Sequence, residues 1–114
     1  MRKIFFAVIL GGILTSCTSN KTLYNWKNYD KAVYAYSETN SEESTDQLIE
    51  TYNKLIENPG GTRMVPPPGV YADYGYLLIQ KGKIDEGLEL LKKEVALYPE
   101  SNAFLQLVIK RIEE

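Results

Sequence analysis

Apolar residues recur at intervals of three and four positions from about residue 24 to the C-terminus, and polar or proline-rich breaks divide them into five segments. Such intervals place the apolar side chains on one face of a helix. The faces predicted for the first two segments are Tyr29, Ala32, Val33 and Tyr36, then Leu48, Ile49, Tyr52, Leu55 and Ile56. No segment alternates with a period of two over the length of a strand. The sequence therefore predicts an all-α domain with about five helices.

The breaks between segments predict where these helices begin and end. Ser44 followed by Gln47 fits a capping box that opens the second helix. Gly82 is suited to the left-handed residue that ends a third helix, which is predicted over residues 70–81. Three prolines within residues 65–69 favour an extended segment, which would be either a rigid connector or a polyproline ligand for a partner.

The last predicted helix, over residues 101–113, is apolar on two sides. We expect one side to dock against the preceding helices, and its residues are Phe104, Leu107 and Val108. The second side would be either buried in the monomer or exposed as an association surface, and its residues are Leu105, Ile109 and Ile112.

The N-terminus combines two cations, Arg2 and Lys3, with an uncharged apolar run over residues 4–14. This layout is typical of a secretory signal peptide and is too short for a membrane-spanning helix of about 20 residues. The run ends in Leu14-Thr15-Ser16-Cys17, which resembles the bacterial lipobox, where the Cys thiol is lipidated and the chain is cleaved before it. The alternative is an ordinary signal peptide with an incidental thiol. We expect a cleaved signal at residues 1–16, a lipidated tether at 17–23 and a helical domain at 24–114.

The charge and the residue composition of the chain argue against several classes of function. Removing residues 1–16 would leave 98 residues with 11 cations and 15 acids, a mildly acidic chain without the basic cluster of a nucleic-acid-binding protein. The chain has no histidine, and lipidation would consume its single cysteine. The sequence therefore predicts no metal, no cofactor other than the covalent lipid, no catalytic residue and no nucleic acid partner.

Gly75, Gly82, Gly87 and Pro99 are spaced 7, 5 and 12 residues apart. This spacing resembles that of the tetratricopeptide repeat, a pair of helices about 34 residues long. Gly75 and Gly87 would let the two helices approach closely, so leucine at position 87 should overfill the contact, whereas alanine should be tolerated. Glu94 departs from the repeat, which prefers alanine there. With a partial match near residues 29–36, the chain would have one and a half repeat-like units and a C-terminal capping helix.

Most of the chain resembles a more specific family. The matching segments are Trp26 to Tyr36, Arg63-Met64-Val65-Pro66-Pro67-Pro68-Gly69, Ala72-Asp73-Tyr74-Gly75-Tyr76-Leu77-Leu78 and Leu97-Tyr98-Pro99-Glu100-Ser101. They are similar to the small bacterial lipoproteins called domain of unknown function 4810, which also tend to have Glu at the position of Glu94. The resemblance implies an outer-membrane lipoprotein encoded near a curli-secretion-type pore lipoprotein, and no enzymatic activity is known for the family. Because Thr18 is not aspartate, we expect the protein on the periplasmic leaflet of the outer membrane.

Three functions follow as hypotheses. The first is a protein-interaction subunit of an envelope or curli-like secretion assembly, in which the first helices of the repeats form a binding wall. The residues that the repeat resemblance assigns to this wall are Ala72, Asp73, Tyr76, Ile79 and Gln80. The second is a structural lipoprotein that spaces the membrane or cell wall without a specific protein partner. The third is a carboxylate hydrolase, which would use Glu38, Asp73 or Glu94.

Overall fold

A computed structural model describes residues 21–114, and these residues form five α-helices and no strand. The helices are α1 (Tyr29–Thr39), α2 (Glu42–Glu57), α3 (Val70–Gln80), α4 (Ile84–Leu97) and α5 (Asn102–Glu113), with a 3₁₀ turn at Pro99–Ser101 before α5. The prediction of an all-α fold with about five helices is thus confirmed. None of the helices described is long and apolar enough to cross a membrane.

Helix α2 begins earlier than the sequence predicted. Its N-cap is Ser41, whose Oγ accepts a hydrogen bond from the Ser44 amide at 3.1 Å, while the Ser44 hydroxyl oxygen accepts one from the Ser41 amide at 2.9 Å. Ser44 is therefore the third helical residue of the capping box and not its cap, so the prediction based on Ser44 and Gln47 was wrong. Gly82 is left-handed as predicted, with a φ of 88° at the end of α3.

Helices α1, α2 and α3 share one hydrophobic core. Its buried members are Ala32, Leu48, Tyr52, Leu55, Val70 and Leu77. Two partly buried tyrosines pack against the buried Tyr52: the Tyr52 and Tyr74 rings stack with their centroids 5.3 Å apart, and the Tyr29 ring lies 6.2 Å from that of Tyr52. These apolar faces agree with those predicted from the spacing.

Helices α3, α4 and α5 form a second core around Leu88, Leu91, Leu105 and Ile109. A close contact between two of these helices is that of Gly75 with Gly87, where α3 and α4 run antiparallel. A Cβ atom added to Gly87 would lie 2.5 Å from the Gly75 carbonyl oxygen and 2.5 Å from Cγ1 of Ile79. Because the first obstacle is backbone, even alanine would push the helices apart, and the expectation that alanine would be tolerated at position 87 was wrong.

The proline segment is fixed between α2 and α3 and does not project as a ligand. Pro66 and Pro67 are buried, and the Tyr98 hydroxyl donates a 2.6 Å hydrogen bond to the Pro66 carbonyl oxygen. Burial raises the pKa of Tyr98, so its hydroxyl keeps its proton and remains a donor. Of the two interpretations of this segment, the structure favours the rigid connector.

Candidate functional site

The predicted binding residues of α3 fall into three environments. Tyr76 is 55% exposed and Gln80 is also exposed, as a binding wall requires. Ala72 and Ile79 are half-buried and pack against the second core. Asp73 lies at the start of α3, where its Oδ2 accepts a 2.7 Å hydrogen bond from the Tyr29 hydroxyl. Ala72 and Asp73 therefore join parts of the fold together, while Tyr76 and Gln80 remain available to a partner.

Helix α5 is rotated relative to the orientation predicted from its sequence. Leu105 and Ile109 are about 5% exposed and belong to the second core, with Ile112 partly buried beside them. Phe104 and Leu107, which were expected to dock the helix, are 70% and 69% exposed. Of the two interpretations offered for Leu105 and Ile109, core and association surface, the structure gives core. Val108 is partly buried against the same core, as expected, whereas the expectation that Phe104 and Leu107 dock the helix was wrong.

The physical reason lies in the spacing on the helix. Leu105, Ile109 and Ile112 follow one another at four and three residues, which is a full core-facing stripe over two turns. Phe104 and Leu107 are followed by Arg111 at the next turn, so their stripe ends in a charge. The stripe that extends to the end of the helix is the one that α3 and α4 bury.

The exposed stripe of α5 and the exposed side of α3 together form an open apolar groove, which we call the α3–α5 groove. It encloses about 700 Å³. Its apolar lining consists of Tyr76, Ile79, Phe104, Leu107, Val108 and Ile112. Tyr76 and Ile79, predicted from the repeat pattern, and Phe104 and Leu107, predicted to be core, thus meet in one surface.

One end of the α3–α5 groove is basic. Lys110 and Arg111 border it together with Glu114. The two ion pairs formed within residues 21–114 are Glu50–Lys54 and Lys92–Glu113. Lys110 and Arg111 therefore remain free to pair with an incoming acid. The groove therefore combines an apolar floor with a cationic end.

Glu94 is the one buried carboxylate among the described residues, at 2% exposure. Its Oε1 accepts a 2.6 Å hydrogen bond from the Gly69 amide, immediately before α3, while its Oε2 is buried without a hydrogen-bond partner. Burial raises the pKa of this carboxyl above its ordinary value of 4.5, and the amides of Gly69, Ala72 and Tyr71 oppose that shift. Glu94 thus caps the N-terminus of α3 from α4, a structural task that the sequence pattern did not reveal.

The carboxylates considered for hydrolysis have different surroundings. Glu38 is exposed on α1, Asp73 is hydrogen-bonded to Tyr29, and Glu94 is enclosed against the backbone of α3.

Within residues 21–114 no three His, Cys, Asp or Glu side chains are grouped so that they could hold a metal ion. Cys17 and the signal at residues 1–16 lie outside the described residues, so lipidation remains a prediction.

Comparison with known proteins adds one finding. Residues 23–108 match the model of a family described as "Domain of unknown function (DUF4810)". Neither the curated proteins nor the solved structures include a significant match to this chain. The matched range contains the proline segment, the Gly75–Gly87 contact, Glu94 and most of the α3–α5 groove.

Proposed function

Since the chain belongs to the DUF4810 family, we propose that it is a non-enzymatic, membrane-anchored lipoprotein that acts as a protein-interaction subunit of a bacterial envelope or curli-like secretion assembly. The observation that carries this proposal is the α3–α5 groove. Phe104, Leu107 and Tyr76 are more than half exposed and line the same groove. Single exposed apolar residues are common on protein surfaces, but a contiguous group of them is typical of an interaction site.

The occupant that fits the α3–α5 groove best is an amphipathic segment of a partner protein with apolar anchors and a neighbouring acid. Aromatic side chains in such grooves contribute most of the binding energy because they remove a large apolar area from water. An acidic residue of the partner would pair with Lys110 or Arg111, which favours one direction of binding along the groove. The charge at one end thus selects both the chemistry and the polarity of the partner.

The anchor gives this subunit its location. A lipid on Cys17 would hold the protein at a membrane, and Thr18 in place of aspartate favours the outer membrane, on its periplasmic face. The partner suggested by the family resemblance is a curli-secretion-type pore lipoprotein. Both proteins would then be confined to one membrane, where even a modest intrinsic affinity suffices because their effective concentration is high.

A photo-crosslinking amino acid at position 107 tests the groove in intact cells. We expect one envelope protein to be captured from this position and not from position 43, which is exposed near the start of α2 and does not line the groove. The captured protein is then purified, and its affinity is measured for wild type, Leu107→Gln and Glu43→Gln. Loss of an anchor at the centre of a groove should weaken binding about tenfold or more, while the control should change it little.

Charge reversal separates specific docking from adhesion. Arg111→Glu should weaken binding, and a Lys in place of the partner's acid should restore it. Crosslinks from position 107 to a second copy of this chain would instead identify a self-association surface. Capture at neither position, combined with co-sedimentation with isolated cell wall, would favour the spacing lipoprotein and overturn the proposal.

A further inference from the structure

A second exposed surface lies near the N-terminus, where the described residues begin. The Thr62 amide donates a hydrogen bond to the Thr22 carbonyl oxygen at 3.0 Å, and the Arg63 amide donates one to that of Leu23 at 3.2 Å. These bonds hold residues 21–27 against residues 61–64. We call the two segments together the N-terminal edge.

The N-terminal edge exposes large apolar side chains. Leu23 is 59% exposed, Met64 is 65% exposed and Trp26 is 39% exposed. The hydrogen bond at Arg63 places the backbone of Met64 close to that of Leu23. Trp26 follows Leu23 by three residues, and its ring lies 5.1 Å from that of Tyr29. Lys27 and Met64 also have positive φ angles of 50° and 53°, a conformation that is uncommon for residues other than glycine. Folding therefore maintains this exposed edge in spite of an unfavourable backbone.

The charge of the N-terminal edge is opposite to that of the protein as a whole. It carries Lys21, Lys27 and Arg63, and it contains no Asp or Glu. From Cys17 onward the chain has 11 cations and 15 acids, so the remainder of the domain is strongly acidic. Arg63 is held in place by Tyr24, whose hydroxyl oxygen accepts a 2.9 Å hydrogen bond from Nη1 and whose ring centroid lies 5.7 Å from the guanidinium carbon.

The length of chain that precedes the edge limits where the edge can lie. Three residues separate Lys21 from Cys17. Even fully extended, those four residue steps span at most about 14 Å. With an acylated Cys17 in the bilayer, Lys21, where the edge begins, is therefore confined to the layer of lipid headgroups or its immediate vicinity.

We propose that the N-terminal edge is a membrane-contacting surface that binds anionic phospholipid headgroups and inserts Trp26, Leu23 and Met64 at the interface. The proposal rests on the lipid anchor of the proposed function. Cations are attracted to anionic headgroups, and tryptophan prefers the boundary between headgroups and acyl chains. Contact through this edge turns the acidic remainder of the domain away from the bilayer, which gives the anchored domain a defined orientation.

The chain contains its own reporter, since Trp26 is its only tryptophan. Mature protein purified from membranes is reconstituted into vesicles of phosphatidylethanolamine and phosphatidylglycerol, with and without bromine on the acyl chains. We expect the Trp26 emission to shift to shorter wavelength and to be quenched by the brominated lipid. Vesicles of phosphatidylcholine alone, or high salt, should reduce the quenching because the electrostatic contribution is lost.

Matched variants identify the surface. The Leu23→Asn, Met64→Gln double variant should reduce the quenching of Trp26 by about twofold or more, since the apolar area that enters the interface is lost. Leu107 in the α3–α5 groove is about as exposed as Leu23 and Met64, and Leu107→Gln should leave the quenching unchanged. Circular dichroism verifies that each variant is folded.

Mass spectrometry of the same preparation separates this inference from the proposed function. A lipidated Cys17 with unquenched Trp26 would overturn the membrane-contacting edge and leave the anchor intact. An unmodified Cys17 would overturn the anchor, and the protein would then be mixed with the same vesicles. Salt-sensitive quenching in that mixture would support the edge by itself, and no quenching would overturn it.

Discussion

Glu94 shows how one residue can be conspicuous in the sequence while its role depends on the fold. The sequence identified it as a departure from the repeat pattern, and hydrolysis was one interpretation. Its actual neighbour is the Gly69 amide, 25 residues away, and no periodicity predicts such a contact. Burial inside the protein leaves Oε2 without a hydrogen-bond partner and raises the pKa of the carboxyl, while the amides at the helix N-terminus oppose that shift.

The raised pKa predicts a pH dependence of stability. Folded protein keeps the Glu94 proton at pH values at which the unfolded chain, with its pKa near 4.5, has lost it. This contribution to stability is complete below pH 4.5 and is lost as the pH rises through the pKa of Glu94 in the folded protein. Glu94→Gln, which retains an acceptor for Gly69 without the charge, should therefore gain in melting temperature relative to wild type as the pH rises above 4.5.

Circular dichroism melts across this range measure the difference. A difference between the two proteins that stays constant with pH would contradict the role given to burial. Glu94→Met is the matched comparison, because it keeps the shape but leaves the Gly69 amide without its partner, at a cost of about 1–3 kcal/mol.

Among the helices, α3 and α4 were predictable in detail because glycine and proline positions mark their ends and their contact. Gly82 ends α3, and Gly75 meets Gly87, as the spacing indicated. What the spacing could not give was the distance between the two backbones. That distance decides whether a methyl group fits, and it is set by packing over the whole length of the pair.

Gly87→Ala is therefore expected to destabilise the domain. Helix propensity favours alanine by nearly 1 kcal/mol, but forcing apart a close backbone contact costs about 1–3 kcal/mol, so we expect a net loss. Chemical denaturation measures the free energy of unfolding. Glu89→Gly and Glu89→Ala, compared on the exposed side of α4, calibrate propensity on the same helix. A Gly87→Ala protein more stable than wild type would contradict the close contact.

Helix α5 illustrates a different limit of sequence analysis. Both of its sides carry apolar residues at helical spacing, so the pattern by itself could not decide which side is core. The α3–α5 groove could nevertheless have been suspected, because the stripe containing Phe104 and Leu107 ends at Arg111. A charge that closes an apolar stripe favours its exposure.

Two glutamate substitutions on α5 should have opposite consequences. Ile109→Glu places an unpaired charge in the second core and should lower the melting temperature by more than about 10 °C. Leu107→Glu places the same charge in the open groove and should change the melting temperature little. Equal effects of the two substitutions, measured by circular dichroism, would contradict the orientation of α5.

At the scale of the whole molecule, the location proposed for the protein depends on one atom. Cys17→Ser removes the sulfur to which lipid would be attached, so we expect a protein that is neither acylated nor cleaved before position 17. Cell fractionation with immunoblotting measures this. A variant still processed and retained at high salt would contradict the lipobox interpretation, and wild-type protein among inner-membrane markers would contradict the outer-membrane assignment.

Helix α3 contributes to both hydrophobic cores, through Val70 and Leu77 on one side and through Ala72 and Ile79 on the other. Residues 21–114 therefore cannot be divided at any position into two halves that each retain a complete core. We expect the described residues to open as one cooperative unit, with amide protons of α1 and α5 exchanging through the same global event. A partner seated in the α3–α5 groove would, by mass action, also slow exchange at the distant end of the molecule.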